Sequence, residues 1–514
     1  MSSQRNPVLS ITAALCCALI GGCSRGALEL NQSAPPSNPE GGMQGADGGS
    51  DANGLCPAAG FAADRPLLGW SDGAALNLLF SNGEVRQVQP IATTSPAPTT
   101  GGIGVLLLEA GRDGWSVATI RFSGATHETS QVAILRPDGS TLWQGKIQHP
   151  LPVVFAGPQG SVIDFADVLM FIDESGNAVE RKKDVGVQAW GGVGAAGEVP
   201  ASWEERLADG DLLDHLRFVQ PSGARTELAA VRRGRWILVG EAFHYVETVN
   251  GDLVWQRQGL TAKATVLRVP NTADGRLDHY GAWVVLSTGF SPIAVARENG
   301  SDARLLQTRV PASPPTYNVS ANGDWLVGSA EFGAPIWRLN MKAGIVDDLL
   351  NTSFGTRRIF DASFCTPPLV TDAQGRMLLG LRDDSLGGLF REVSGQAGAW
   401  EAMGRPVRGV AYIKVTAWGD TVVASAETGE DTFCPNKFGE WPAQTDNSDV
   451  LGGASVQLFH PNAEPRLLAT DFVMHPSGGC AVLWTPSVSA EILEVPTGTT
   501  HGIPASPIRP VWLQ

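Results

Sequence analysis

The chain has 514 residues and a net charge of -15, with 17% charged residues, 61 glycines and 15 tryptophans. Its acidic residues are scattered, and this excludes nucleic acid and direct adhesion to anionic lipid, since both require clustered Lys and Arg. Such a glycine-rich, weakly charged composition is typical of an all-β protein with many turns.

The N-terminus has the pattern of a targeting segment. Met1 to Pro7 is polar with one positive charge, and residues 8–20 are an apolar run too short to span a bilayer. The run ends in Ile20-Gly21-Gly22-Cys23. This string resembles the lipobox of bacterial lipoproteins, in which the signal peptide is cut before the cysteine and that cysteine carries the lipid.

The resemblance implies a signal peptide over residues 1–22 and a lipid anchor on Cys23. Ser24 rather than Asp follows the cysteine, which in that family favours the outer membrane, with the protein facing the periplasm or the cell surface. The alternatives are a plain secretory signal cut near Gly22 or a chance cysteine.

A flexible tether is predicted over residues 23–55, because Ser, Pro, Gly, Asn and Asp dominate there and too few apolar residues offset the entropy of ordering. One folded domain is expected over residues 56–514. Four cysteines remain after the signal peptide and Cys23 are set aside: Cys56, Cys365, Cys434 and Cys480. In an oxidising compartment they predict two disulfides, with three possible pairings. Their spacing lacks the CxxC pattern, so no metal site is expected.

From Cys56 onward the chain repeats one local pattern: an apolar strand, a short turn with Gly, and a second strand. A tight hairpin needs a residue at positive φ, and Asn-Gly or Asp-Gly provides it with least strain. The clearest turns lie at Asn82-Gly83, Asp138-Gly139, Ser175-Gly176, Ser222-Gly223, Asn250-Gly251 and Asn299-Gly300.

Hairpins separated by further apolar strands predict radial repetition of four-stranded sheets, that is, an all-β β-propeller after the tether. At about 40 to 50 residues per blade, we expect eight blades, with seven to nine admissible. The alternative is a string of β-sandwich domains, which would need polar linkers that the sequence after Gly54 does not show.

Two repeats, VAILRPDGSTLWQ with Trp143 and YVETVNGDLVWQ with Trp255, resemble the repeats of quinoprotein-like propellers. The resemblance implies that each tryptophan packs between neighbouring blades. Quinone-dependent dehydrogenases of that class commonly use a vicinal cysteine pair, and the adjacent cysteines here, Cys16 and Cys17, lie in the signal peptide. We therefore expect no redox activity and no cofactor.

Other local motifs are weaker. Gly69-Trp70-Ser71-Asp72-Gly73 matches the G-x-S-x-G string, but an apolar strand follows instead of the required helix. Ser202 and Glu205 form a capping box that predicts one short surface helix. Pairs of adjacent carboxylates occur, but neighbours along a strand point to opposite faces.

Three segments are candidate binding surfaces. The first is the long insertion at residues 427–453, because loops of this length in a compact fold tend to be functional or disordered and this one mixes aromatic and charged residues. The second segment contains Trp190 and Trp203. The third contains Arg357 and Arg358 beside Phe360. The candidate residues are Phe433, Lys437, Phe438, Trp441, Trp190, Trp203, Arg357 and Arg358.

The sequence favours a lipid-anchored, monomeric binding module whose partner is an envelope protein or a glycan. The alternative is a hydrolase or lyase of the propeller type with carboxylates in its central channel. A structural spacer without a ligand is a third option.

Overall fold

The structure is a computed structural model, and all the residues that it describes belong to one unit, Ser33–Gln514. These residues are 55, 65–71, 76–88, 104–122, 129–149, 152–272, 274–289, 291–307, 316–319, 323–329, 336–348, 353–354, 357–358, 369–372, 375–381, 388–393, 399–403, 410–418, 421–428, 455–459, 466–469, 471–475, 479–485, 488–504 and 510–513.

Nine antiparallel sheets each consist of four strands that follow one another in the chain, and we number them blades 1 to 9. Blade 1 contains β4 (Gly104–Ala110), β5 (Ser116–Phe122), β6 (Thr129–Leu135) and β7 (Thr141–Ile147). Blade 2 contains β8 (Val153–Gly157), β9 (Gly160–Phe165), β10 (Val168–Ile172) and β11 (Ala178–Lys182). Blade 3 contains β12 (Gln188–Ala189), β13 (Val199–Arg206), β14 (Leu212–Val219) and β15 (Arg225–Arg232).

The middle blades have the same strand order. Blade 4 contains β16 (Trp236–Val239), β17 (Ala242–Val249), β18 (Asp252–Gln258) and β19 (Lys263–Val269). Blade 5 contains β20 (Arg276–Tyr280), β21 (Trp283–Thr288), β22 (Ser291–Arg297) and β23 (Arg304–Leu305). Blade 6 contains β24 (Thr316–Val319), β25 (Trp325–Ser329), β26 (Ile336–Asn340) and β27 (Ile345–Asp348), and a separate hairpin of β28 (Ser353–Phe354) and β29 (Arg357–Arg358) follows it.

The last three blades complete the series. Blade 7 contains β30 (Leu369–Thr371), β31 (Met377–Leu381), β32 (Gly388–Glu392) and β33 (Trp400–Ala402). Blade 8 contains β34 (Val410–Trp418), β35 (Thr421–Thr428), β36 (Ser455–Phe459) and β37 (Arg466–Ala469). Blade 9 contains β38 (Asp471–Met474), β39 (Cys480–Thr485), β40 (Ser489–Glu494) and β41 (Thr499–Ile503).

A further four-stranded sheet joins the two ends of the described chain. It combines β1 (Pro66–Ser71), β2 (Leu76–Phe80) and β3 (Val85–Val88) with the final strand β42 (Val511–Trp512). Leu68 pairs with Trp512 and Gly69 with Val511 in antiparallel register. We call it the closing sheet, because a strand from each end of the domain is needed to complete it.

The architecture is the predicted β-propeller. The first strands of neighbouring sheets contact one another, as β16 does β20 and β30 does β34, so the first strand of each sheet is the inner one. The nine blades are one more than the eight that we favoured and lie within the seven to nine that we admitted. The reason is blade size: blade 2 runs only from Val153 to Lys182, shorter than the 40 to 50 residues assumed.

The Gly-centred hairpins are confirmed, and one hydrogen-bond pattern recurs in them. The N–H of Gly83 donates to the carbonyl of Phe80, and the side chain of Asn82 accepts from the N–H of Glu84 at 2.9 Å. The φ angles of Gly83, Gly139, Gly176, Gly223 and Gly300 lie between 83° and 88°. A side chain with a Cβ is strained in this region, which explains why glycine recurs at the same place.

The apolar core lies between neighbouring sheets. Trp255 is fully buried between blades 4 and 5, and Trp143 packs against the core between blades 1 and 2. The inter-blade position that the quinoprotein-like resemblance implied for both tryptophans is therefore confirmed.

Arginine side chains reinforce the contacts between neighbouring sheets. In each case a guanidinium donates a hydrogen bond to a backbone carbonyl in a turn of the following sheet. The pairs are Arg86 to Asp138 (3.3 Å), Arg136 to Glu174 (3.3 Å), Arg181 to Pro221 (2.5 Å), Arg257 to Glu298 (3.2 Å), Arg304 to Lys342, and Arg338 to Gly375 (2.6 Å).

The predicted surface helix is wrong. Ser202 and Glu205 both lie in β13, which pairs with β14 along its whole length. A capping box is a local preference, and the ladder with β14 outweighs it here. The only helical segment among the described residues is a 3-10 turn, Arg112–Gly114, where Asp113 has a φ of 54°.

Candidate functional site

The structure describes only part of the predicted site. Trp190 and Trp203 are the candidate residues whose side chains it describes. Arg357 and Arg358 form the short strand β29, and their side chains are not described. Outside the described residues lie Cys23, Cys56, Cys365, Cys434, Phe433, Lys437, Phe438 and Trp441.

Trp190 belongs to an aromatic cluster between blades 3 and 4. Its indole Nε1 donates to the hydroxyl of Ser202 at 2.7 Å, and its ring meets Trp236 edge to face at 5.2 Å. Trp236, the first residue of β16, donates its own Nε1–H to Asp214 at 2.7 Å and contacts Phe243 at 5.5 Å. Each indole N–H thus has a partner while its ring packs, the arrangement that half-buried tryptophans favour.

Trp203 belongs to a second cluster, on the side of blade 2. Its ring stacks on His215 with centroids 3.9 Å apart and planes 5° from parallel. The guanidinium of Arg217 lies 5.7 Å from the ring centre, and a carboxylate oxygen of Glu205 accepts a hydrogen bond from Nε2 of His215 at 2.7 Å.

The two tryptophans do not form one patch. Ser202, which binds Trp190, and Trp203 are consecutive residues of β13, and successive strand residues point to opposite faces. Trp190 therefore faces blade 4 and Trp203 faces blade 2. Blade 3 has an aromatic cluster on each of its two faces.

A buried arginine supports the Trp203 cluster. Arg217 is 5% exposed and forms ion pairs with Asp184 at 3.0 Å and with Glu227 at 3.2 Å. Arg225 also binds Asp184, at 2.5 Å. A buried guanidinium needs such partners, because an unpaired charge in the interior is costly. These pairs fix Asp184 in the connection between blades 2 and 3.

The inner strand of blade 3 is unusually short, and sequence reasoning missed this. β12 has two residues, and its register with β13 ends at the pair Gln188 and Ser202. The rest of β13, Trp203–Arg206, pairs only with β14. Glu204, Glu205 and Arg206 are exposed. Among the described residues, no strand covers this edge, which lies next to two aromatic clusters.

The connection before β12 does not pair along that edge. Val185 is completely exposed, at 100%, and Gly186 has a φ of 80°. The N–H of Val187 donates to the carbonyl of Asp184 at 3.2 Å, which closes a tight turn. Residues 184–187 thus do not extend β12.

A different kind of polar group lies between blades 4 and 5. His244 is fully buried, and its Nδ1 accepts a hydrogen bond from the indole Nε1 of Trp255 at 3.2 Å. Since an indole only donates, Nε2 of His244 carries the proton and donates to the carbonyl of Glu298 at 2.9 Å. Burial lowers the pKa of His244 to about 4. The ring is therefore neutral near pH 7 and serves as a link between the two blades.

The remaining sequence candidates are few. Ser71 ends β1 and the next described element is strand β2, so the described chain does not provide the strand-turn-helix context that a nucleophile elbow needs. Cys480 is fully buried between blade 9 and the closing sheet, and Leu55 packs against the same core. The other three cysteines lie outside the described residues, and the two disulfides stay a prediction.

Within the described ranges, no group of three or more His, Cys, Asp or Glu side chains is arranged to hold a metal ion. No helix in the same ranges has the length and apolar character needed to cross a membrane.

The fold and these clusters define the class of the protein: it is a β-propeller. No family model matches the chain, and no curated protein matches it. Among solved structures it is similar to a eukaryotic initiation factor, at 8% identity and TM-score 0.39 over 87% of this chain and 98% of that one. It is also similar to apo AztD from Citrobacter koseri, at 13% identity and TM-score 0.32 over 67% and 96%. A third similarity is to an oligogalacturonate lyase in complex with manganese, at 12% identity and TM-score 0.28 over 68% and 86%.

Proposed function

We propose that the protein is a lipoprotein, anchored by Cys23 in the outer membrane, whose propeller binds another macromolecule of the envelope. The observation that carries this proposal is blade 3, where an exposed strand edge lies between the Trp190 and Trp203 clusters. The lipobox-like string before Cys23 supports the anchor and the location.

The composition of blade 3 favours binding. Aromatic residues and arginine are enriched in protein interfaces, because they bury a large area and also offer hydrogen-bonding groups. Trp203 and His215 combine both properties beside the half-exposed Glu205. We favour a protein over a glycan as the partner, because the open edge offers backbone groups as well as side chains.

Site-specific photo-crosslinking tests the proposal. A benzophenone amino acid is placed at Val185, in the exposed connection that precedes β12, in cells that make the full chain. The matched control is Val488 of blade 9, which is also apolar and 72% exposed. We expect a discrete crosslinked protein from position 185 and none from 488. Equal adducts from both positions, or none from 185, would contradict binding at blade 3.

The anchor has its own test. Replacing Cys23 with Ala should abolish labelling by radioactive palmitate and move the protein from the membrane to the soluble fraction. A wild-type chain that is never labelled would contradict the anchor without affecting the binding proposal. The hydrolase or lyase alternative stays a prediction, and no arrangement of the described residues favours it.

A further inference from the structure

We propose that the partner docks on blade 3 as an extended peptide segment that adds a strand antiparallel to β13, along the edge from Trp203 to Arg206. This inference rests on the proposed binding function and specifies the chemistry of the partner. Four observations lead to it: the direction of the backbone groups, their lack of partners, the path of the neighbouring chain, and the charges along the edge.

The register decides which backbone groups face the open edge. The N–H of Trp190 donates to the carbonyl of Pro200, so residue 200 directs its backbone toward the inner strand. On the other side, the N–H of Leu207 donates to the carbonyl of Asp211, in line with the pairing of β13 and β14. Hydrogen-bonded positions alternate along a strand. Glu204 and Arg206 therefore direct both their N–H and C=O groups to the inner edge.

These four backbone groups have no backbone partner among the described residues, and both side chains are exposed. Glu204 and Arg206 lie about 7 Å apart along β13, the spacing of alternate residues in a strand. An extended peptide matches this spacing of donors and acceptors, and strand addition to an exposed edge is an established mode of peptide recognition.

The chain that could cover the edge is held elsewhere. If β12 were extended backward in its present register, Val187 would lie opposite Trp203 and Asp184 opposite Arg206. Instead, Asp184 is bound by Arg217 and Arg225, outside the strand. None of the described residues pairs with β13 at the positions that a longer inner strand would occupy.

The side chains along the edge favour a particular pattern in the peptide. Glu204 and Glu205 are both 46% exposed, and they already pair with Arg233 and His215. The peptide position opposite each of these glutamates therefore favours a positively charged residue, and the position opposite Arg206 favours a negatively charged one. Opposite Trp203, an aliphatic residue packs best. An antiparallel peptide therefore reads acidic, basic, basic, aliphatic from its N-terminus.

The first experiment measures binding of a fluorescent peptide with Glu-Lys-Lys-Val at its centre, flanked by threonines, to the purified full chain. We expect saturable binding by anisotropy. Exchanging the charges, to Lys-Glu-Glu-Val, should weaken binding by about fivefold or more. No saturable binding of the first peptide, or equal binding of the two, would overturn the proposed recognition.

Backbone hydrogen bonds are tested on the peptide, which leaves the fold of the protein intact. N-methylation of the residue opposite Glu204 removes an N–H that faces β13, and we expect at least tenfold weaker binding. N-methylation of the residue opposite Glu205 removes an N–H that faces away and should change affinity less than threefold. Equal effects at the two positions would exclude strand addition.

On the protein, Arg206→Pro removes the edge N–H, whereas Arg206→Ala retains it. Because that N–H has no partner in the sheet, we expect Arg206→Pro to keep the melting temperature of Arg206→Ala while it weakens peptide binding about tenfold more. If both variants are well folded and bind the peptide with equal affinity, the proposed strand addition is contradicted.

Hydrogen exchange identifies the occupant of the edge. In the free protein the amides of Glu204 and Arg206 should exchange fast, and the peptide should protect them. Protection without peptide would mean that residues 184–187 or a second copy of the chain covers the edge, and would overturn the proposal. If Val185 crosslinks to a partner but these backbone tests fail, the proposed binding function stands and strand addition is wrong.

Discussion

Two regions of the propeller, the interface between blades 4 and 5 and the inner edge of blade 3, differ in how their polar groups are hydrogen-bonded. Between blades 4 and 5, His244 lies inside the interface and both of its ring nitrogens are hydrogen-bonded. On blade 3, the backbone groups of Glu204 and Arg206 at the inner edge have no strand partner among the described residues. The same four-strand plan thus gives hydrogen-bonded polar groups in one place and an edge without a strand partner in another.

The largest expected effect is a cavity in the closed interface. Trp255→Ala removes a fully buried ring from the core between blades 4 and 5, and we expect a loss of about 3–5 kcal/mol in the free energy of unfolding. Trp203→Ala, at the partly exposed cluster of blade 3, should cost clearly less. Urea denaturation compares the two variants, and similar losses would contradict the distinction between the two regions.

The second effect is a pH dependence. His244 has a pKa of about 4 in the folded protein and about 6.5 when unfolded. Between these values the unfolded state binds more protons, so the stability contributed by the neutral ring is complete above pH 6.5 and is lost as the pH falls toward 4. The loss amounts to about 3 kcal/mol, from a shift of about 2.5 pH units.

Unfolding free energies measured between pH 7 and 4 test this effect. His244→Gln should flatten the dependence, because glutamine does not titrate and can still bind the neighbouring groups. A slope that survives in His244→Gln would show that another group causes it.

The third effect compares two glycines. A Cβ on Gly275, at the start of blade 5, would lie 2.4 Å from a methyl group of Leu253 in the closed interface. We expect Gly275→Ala to cost about 1–3 kcal/mol through overpacking. A Cβ on Gly186 would meet nothing within 4 Å, so Gly186→Ala costs only the strain of positive φ, about 1 kcal/mol. Melting temperatures of the two variants rank these costs, and the reverse order would contradict the packing described for Gly275.

The smallest effect belongs to the open side. Val185 is fully exposed, so Val185→Thr should change the free energy of unfolding by less than about 0.5 kcal/mol. A larger loss would mean that the connection between blades 2 and 3 packs against something in solution.

Local patterns predicted much of the fold. The Asn-Gly turn at Asn250-Gly251 was expected from two residues, and both adopt positive φ, 54° and 84°. Such turns depend on the backbone of the residues themselves, so neighbours in the sequence suffice to identify them. The capping box at Ser202 and Glu205 failed for the opposite reason, since only the long-range pairing with β14 decides between helix and strand there.

The candidate site was predictable only in part. Trp190 and Trp203 were singled out from the sequence, but their separation onto two faces of blade 3 depends on the register of β13. Arg206 has no motif around it in the sequence. It belongs to the proposed docking edge only because β12 is short, and the local sequence does not indicate where the pairing of two strands ends.

The sequence by itself determined the all-β class and the repeated hairpins, because turn residues and strand patterning act over a few residues. The inter-blade positions of Trp143 and Trp255 came from the resemblance to quinoprotein-like repeats. The tertiary structure alone decided how many sheets share the chain, how β42 completes the closing sheet, and which strand edge stays open. These features depend on pairing between distant segments, where competing registers differ by small free energies that local preferences do not encode.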